Sequence, residues 1–179
     1  ALEAMHSVLG ELISFRKELQ RDYQNSDFKV SVPTLNLGCI HGGDNPNRIC
    51  GACELEYDLR PLPGMSADLL REAVVKRLSP LAEQFNVEIQ AESLFPGIPA
   101  FHNDKHSELV QTAEKLTGYQ AEAVAFGTEA PFLQNLGMDT IVMGPGSIDQ
   151  AHQPDEYLAF DQIKPTVAVL EQLIARYCF

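Results

Sequence analysis

Tryptophan is absent from this 179-residue sequence, and cysteine is scarce, with four in all. So few cysteines do not make a disulfide scaffold in a chain of this length, so Cys39, Cys50, Cys53 and Cys178 read as reduced thiols and point to a cytoplasmic protein. Positive charge is also short: 13 Lys and Arg stand against 25 Asp and Glu, a formal net charge of -12. That balance disfavours nucleic acid as a partner, since duplex binding needs cations clustered against phosphates. No apolar run reaches the roughly 18–20 residues needed to span a bilayer, so a membrane partner is not expected either. The opening residues read as helix from the start and not as a secretory leader, so the expectation is a chain that continues a larger protein. What is present, 45% hydrophobic and 21% charged residues, suits a packed core and excludes intrinsic disorder.

Periodicity divides the sequence into two grammars. Leu2, Met5, Leu9, Leu12, Ile13 and Leu19 recur at helical spacing, with Glu11, Arg16, Lys17 and Glu18 expected in water, and Asn25-Ser26-Asp27 closes the helix. Strands are expected over 34–40 and 49–59, the second alternating Cys53, Leu55, Tyr57 and Leu59 with Glu54, Glu56, Asp58 and Arg60. Ser66 should cap a helix bearing Leu69, Leu70, Ala73 and Val74, which Pro80 should kink or restart. A further strand is expected over 87–93, and Phe95-Pro-Gly-Ile-Pro99 reads as a boundary.

Beyond it, Asp104 should cap a helix that Gly118 stops, and a short strand should reach Phe126. Gly127-Thr-Glu-Ala-Pro131 should open a helix that Gly137 ends, and Thr140–Met143 reads as a strand buried on both faces. A long loop, 144–157, and a final helix with Val167, Leu170, Leu173, Ile174 and Tyr177 complete the chain.

The expected class is thus α/β in two parts. Residues 1–97 read α-β-β-α-β, a ferredoxin-like β-α-β-β-α-β unit short of its first strand. Residues 98–179 read as the closing part of an open α/β sheet.

Several constellations carry chemistry, each with a plainer alternative. Cys50 and Cys53 have redox spacing, but an odd separation along a strand points them to opposite faces, so they read as ordinary strand cysteines. His102 and His106 are four apart, but the expected cap at Asp104 leaves His102 outside the helix, so both read as surface histidines. Gly127 and Thr128 stand where free N–H groups at a helix start favour an anion; a tight turn with a Thr cap reads equally well. Asn47 and Arg60 flank the second strand. Arg60 can fork onto a carboxylate or merely pair with Asp58. The loop 144–157 leaves the carboxyl end of an expected buried strand, where open sheets place their sites. It sets His152 beside Asp155 and Glu156, either as a metal ligand with a carboxylate behind it or as a lone histidine in an acidic patch.

Taken together, Gly42-Gly-Asp-Asn-Pro-Asn47-Arg-Ile49, Asp58-Leu-Arg60-Pro-Leu-Pro-Gly64, Gly127-Thr-Glu-Ala-Pro-Phe132 and Gly144-Pro-Gly-Ser-Ile-Asp-Gln-Ala-His152-Gln-Pro-Asp-Glu-Tyr157 resemble one family. It is the acetylornithine deacetylase and succinyl-diaminopimelate desuccinylase family of two-metal amidohydrolases. The resemblance implies a lid and dimerisation domain at 1–97 and the end of a catalytic domain at 98–179. It implies a cofactor of two zinc ions, with cobalt as a substitute, and assigns His152 as a metal ligand. Asn47, Arg60, Gly127 and Thr128 become substrate-binding positions. The implied substrate is an N-acyl amino acid, N2-acetyl-L-ornithine first and succinyl-diaminopimelate second, and the implied partner is a second copy. The family's general base and remaining metal ligands match nothing in these 179 residues, so the piece alone is expected to be inactive. A dimerisation module without catalysis is the other reading.

Overall fold

The computed structural model describes residues 1–124 and 126–179 and separates into two compact units, Ala1–Ala100 with Ala123–Thr128, and Phe101–Glu122 with Glu129–Phe179.

The first unit is built on helix α1, Leu2–Asp22. Its buried stripe is Ala4, Val8, Leu12, Phe15 and Leu19, so the helix is rotated slightly from the expected face, and Leu2 is exposed. Glu11 and Glu18, expected in water, are half-buried because both pair with Arg77. Helix α2, Ala67–Phe85, lies against α1 and buries Leu70, Val74 and Leu78. Its first turn is capped as expected, the Leu69 N–H donating to Ser66 Oγ at 3.3 Å. Pro80 does not restart it: the helix runs through, because Pro80 sits on the exposed side, where water can serve the carbonyl it leaves unpaired.

Against these helices packs an antiparallel hairpin of β1, Thr34–Gly42, and β2, Cys53–Arg60. β2 begins four residues later than its alternation suggests, with Ile49 fully exposed in the connection. Along β2 half-buried and exposed residues alternate as expected. The register slips between Leu37 and Cys39, so Leu35 and Leu37 before the bulge and Ile40 after it all pair with the inward residues Leu59, Tyr57 and Leu55. Met5, Leu55, Tyr57, Leu59 and Ile89 line a core formed by Val8, Leu12, Phe15, Leu19, Leu35, Leu70, Val74 and Leu78.

The strand expected over 87–93 is not formed. The segment has no regular structure, since no described strand pairs with it to complete the hydrogen bonds. The strand expected to reach Phe126 is likewise absent among the described residues; its Ala125 lies outside them.

The second unit is helical. Helix α3, Glu108–Thr117, is capped by Ser107, which accepts from Val110 N–H at 3.2 Å. Asp104, the expected cap, instead accepts the main-chain N–H of His106 one turn earlier. Gly118 stops α3 in the left-handed conformation, φ +77. Helix α4, Ala130–Asn135, is short, and α5, Ile163–Tyr177, packs against α3. Residues 140–143 form no strand and are not buried on both faces: Thr140 is buried, but Val142 is half exposed. A short apolar run cannot form a strand by itself without a neighbouring ladder, and none is present among the described residues. The class is mixed helix and strand, with one two-stranded sheet. No helix among the described residues is long and apolar enough to cross a membrane.

Candidate functional site

In the first unit, Asn47 and Arg60 sit at opposite ends of the hairpin. Asn47 lies in the connection past the Gly42–Cys53 pair, an exposed turn in which its N–H donates to Asn45 Oδ1 at 3.2 Å. Arg60 closes the other end, opposite Thr34. The eight residues of β2 span about 23 Å at about 3.3 Å per residue. Within one chain these two side chains therefore do not meet on one small ligand. Arg60 pairs through Nε with Asp58 at 2.6 Å, both well exposed, a contact of little energetic weight. Its Nη groups make no hydrogen bond among the described residues and remain able to fork onto a carboxylate.

Gly127 and Thr128 precede α4 but do not cap it; Glu129 occupies the cap position. Pro131 removes one of the N–H groups of that first turn. The anion-binding reading of this turn is thereby weakened. A Cβ at Gly127 would stand 3.0 Å from Ile98 Cδ1, a close approach that the Ile98 side chain would have to relieve by shifting.

His152 lies in the loop expected to be irregular, which contains one 3-10 turn, Ile148–Gln150, capped by Ser147. The residue is exposed, and its backbone is left-handed, φ +62. That conformation is uncommon for a residue with a Cβ and is held by its N–H donating to Glu156 Oε2 at 3.0 Å. Glu156 thus positions the main chain of His152, where the sequence suggested it would orient the ring. The imidazole makes no hydrogen bond among the described residues. Those residues also hold no group of three metal-ligating side chains. One exposed imidazole fits one arm of an ion site and not a whole one.

The cysteines are all free. Cys50 lies before β2, so strand parity does not govern it; its thiol donates to Ala52 O at 3.0 Å. His102 and His106 are both exposed, as expected; His102 lies outside α3 as expected, and His106 does too, because the cap is Ser107 and not Asp104. A pairing the sequence reading passed over is Cys39 Sγ with His41 Nε2, 3.0 Å apart on the exposed face of β1. Their separation of two along a strand was the available signal.

Residues 1–86 match the peptidase dimerisation domain of the M20 type. Over 178 residues the chain is 51% identical to the acetylornithine deacetylase of Edwardsiella ictaluri, covering 99% of this chain and 46% of that protein. It is 48% identical to the acetylornithine deacetylase of Vibrio vulnificus and 46% identical to that of Aliivibrio salmonicida, each over all of this chain and 47% of the relative. The chain therefore spans about half the length of the curated relatives it matches. The chain is thus similar to the peptidase dimerisation domain over residues 1–86 and, along its whole length, to acetylornithine deacetylases.

Proposed function

We propose that this chain serves a metal-dependent amide hydrolase that converts N2-acetyl-L-ornithine to L-ornithine and acetate, a cytoplasmic step of arginine biosynthesis. The observation that carries the reading is 46–51% identity, sustained along the whole chain, to proteins of that name. Residues 1–97 act as lid and dimerisation domain and pair two copies; the match over residues 1–86 supports this. Residues 98–179 contribute to the catalytic domain.

His152 supplies one imidazole to a zinc centre, cobalt substituting, whose other ligands come from sequence homologous to the unmatched part of the relatives. The bound ions supply a water of lowered pKa and polarise the acyl oxygen. The left-handed loop holds the imidazole out into solvent, where an ion can be met. Arg60, with its Nη groups unengaged, receives the substrate carboxylate. Since Asn47 lies at the far end of the hairpin, it contacts a different part of the cleft from Arg60. Gly127 and Thr128 line the cleft as a turn that a larger residue at 127 would disturb.

The chain joined to the unmatched part of the Edwardsiella ictaluri relative should release ornithine from N2-acetyl-L-ornithine, and the 179 residues alone should not. A well-folded, metal-loaded joined protein that cleaves succinyl-diaminopimelate or another N-acyl amino acid in preference would replace the substrate. One that cleaves none of them would leave a dimerisation module.

A further inference from the structure

Strand parity would send Cys39 inward with Leu35 and Leu37, since all three are odd positions along β1. The bulge between Leu37 and Cys39 reverses this. After it Ile40 stands opposite Leu55, and Cys39 and His41 turn to the outer face of the hairpin, both exposed. There Cys39 Sγ lies 3.0 Å from His41 Nε2. With the ring proton on Nδ1, Nε2 accepts from the thiol. Across the hairpin Glu56 stands opposite Cys39 and Glu54 opposite His41, and both are exposed. Side chains paired in this way on one face are close enough to interact. One exposed patch thus holds a nucleophile, a base in contact with it and two carboxylates across from them. The other exposed cysteine, Cys178, makes no side-chain hydrogen bond among the described residues.

We propose that Cys39 and His41 form a thiol-modification site that exchanges with small cationic disulfides. His41 Nε2 takes the thiol proton, and Cys39 Sγ attacks one sulfur of the disulfide R–S–S–R. The Sγ–S bond forms as the S–S bond breaks, and the departing RS⁻ takes the proton from His41. Cys39 ends oxidised in a mixed disulfide, and the other half of the reagent leaves reduced, as a thiol. A second thiol reverses the exchange by the same steps. The carboxylates choose the reagent. Glu54 and Glu56 repel an anionic disulfide and attract a cationic one, and the chain's net charge of -12 acts in the same direction. The site shares no residue with the proposed zinc and substrate positions, so it does not depend on which acyl amino acid is cleaved.

The test is exchange of the 179-residue chain with cystamine, a cationic disulfide, and with glutathione disulfide, an anionic one, followed cysteine by cysteine through peptide masses. Cys39 should react with cystamine about tenfold faster than Cys178, the gain a neighbouring base gives a thiol once the lower nucleophilicity of its thiolate is counted. His41→Asn should bring Cys39 down to the rate of Cys178, while the Cys178 rate and the urea midpoint stay unchanged. Glu54→Gln combined with Glu56→Gln should narrow the preference of Cys39 for cystamine about threefold, the worth of exposed charges at close range, and leave that of Cys178 as it was. Measuring each preference as a ratio within one cysteine cancels the difference in size between the two reagents. Equal rates at Cys39 and Cys178, or a Cys39 rate untouched by His41→Asn, would overturn the proposal. So would a preference for cystamine that survives loss of both carboxylates. The same mapping on the chain joined to the unmatched part of the Edwardsiella ictaluri relative should again single out Cys39, and protection of Cys39 there would overturn the site, since its face would then be covered.

Discussion

Arg77 of α2 lies over the ring of Phe15 of α1, its Cζ 4.7 Å from the ring centroid. Glu11, one turn before Phe15, accepts from Nη1 at 2.8 Å, and Glu18, one turn after, accepts from Nη2. Spacings of four and three place all three α1 residues on one face, so a single guanidinium fastens the two helices. Replacing Arg77 with Met keeps the stem and removes the charge. It should lower stability by about 1 kcal/mol, the usual worth of a partly exposed cation–ring contact, read as a shift in the urea midpoint. Phe15→Leu combined with Arg77→Met should cost less than the two changes summed, because the second has nothing left to break.

The same clasp makes stability fall in acid. The hydrogen bond from Arg77 holds the Glu18 carboxyl below its ordinary value of 4.5, opposed by its partial burial. A carboxyl whose pKa is depressed in the folded state stabilises the fold above the unfolded value. That stability is lost as pH falls through the folded one. The melting temperature of the chain should therefore drop more steeply below about pH 4.5 than that of Glu18→Gln, which has no charge to lose. Parallel curves for the two proteins would remove Glu18 from the acid response.

Leu12 is 1% exposed and sits where α1, α2 and the hairpin meet. Leu12→Ala should cost about 2–5 kcal/mol through lost burial and the cavity left behind. Leu9→Ala, three residues away at a half-buried position, should cost clearly less. Denaturant titration of both variants checks the orientation of α1, because the apolar spacing alone put Leu9 and Leu12 on equal terms.

The elements of this fold that could be read in advance are those specified locally. α2 announces its start through Ser66, α3 its end through Gly118, and β2 its two faces through strict alternation. What misled depends on neighbours. Residues 87–93 and 140–143 have strand composition, but a strand exists only as part of a ladder, and composition does not supply the second strand. Pro80 signals a kink or a restart because a missing N–H is usually costly, yet on the exposed side of α2 water meets the cost. The bulge between Leu37 and Cys39 was invisible because it changes which residues face inward without changing which are apolar. At the site, the residue types were legible and their convergence was not. Asn47 and Arg60 lie 13 positions apart, a separation that says nothing of distance until the hairpin register puts them at opposite ends.

The backbone at His152 allows its ring and its loop to be tested separately. A left-handed residue tolerates Asn, whose short polar side chain visits that region, and resists Val, whose branched Cβ clashes there at a cost of about 1–2 kcal/mol. Both substitutions remove the imidazole. In the chain joined to the unmatched part of its Edwardsiella ictaluri relative, His152→Asn and His152→Val should each lose bound zinc and turnover together. Only His152→Val should also speed hydrogen exchange across 148–157, because it alone strains the turn closed by the Glu156 carboxylate. Glu156→Ala should reproduce the loosened loop with less loss of zinc, since it leaves the ring in place. If His152→Asn retains a full complement of metal and activity, the imidazole is no ligand, and the strained turn serves only to shape the loop.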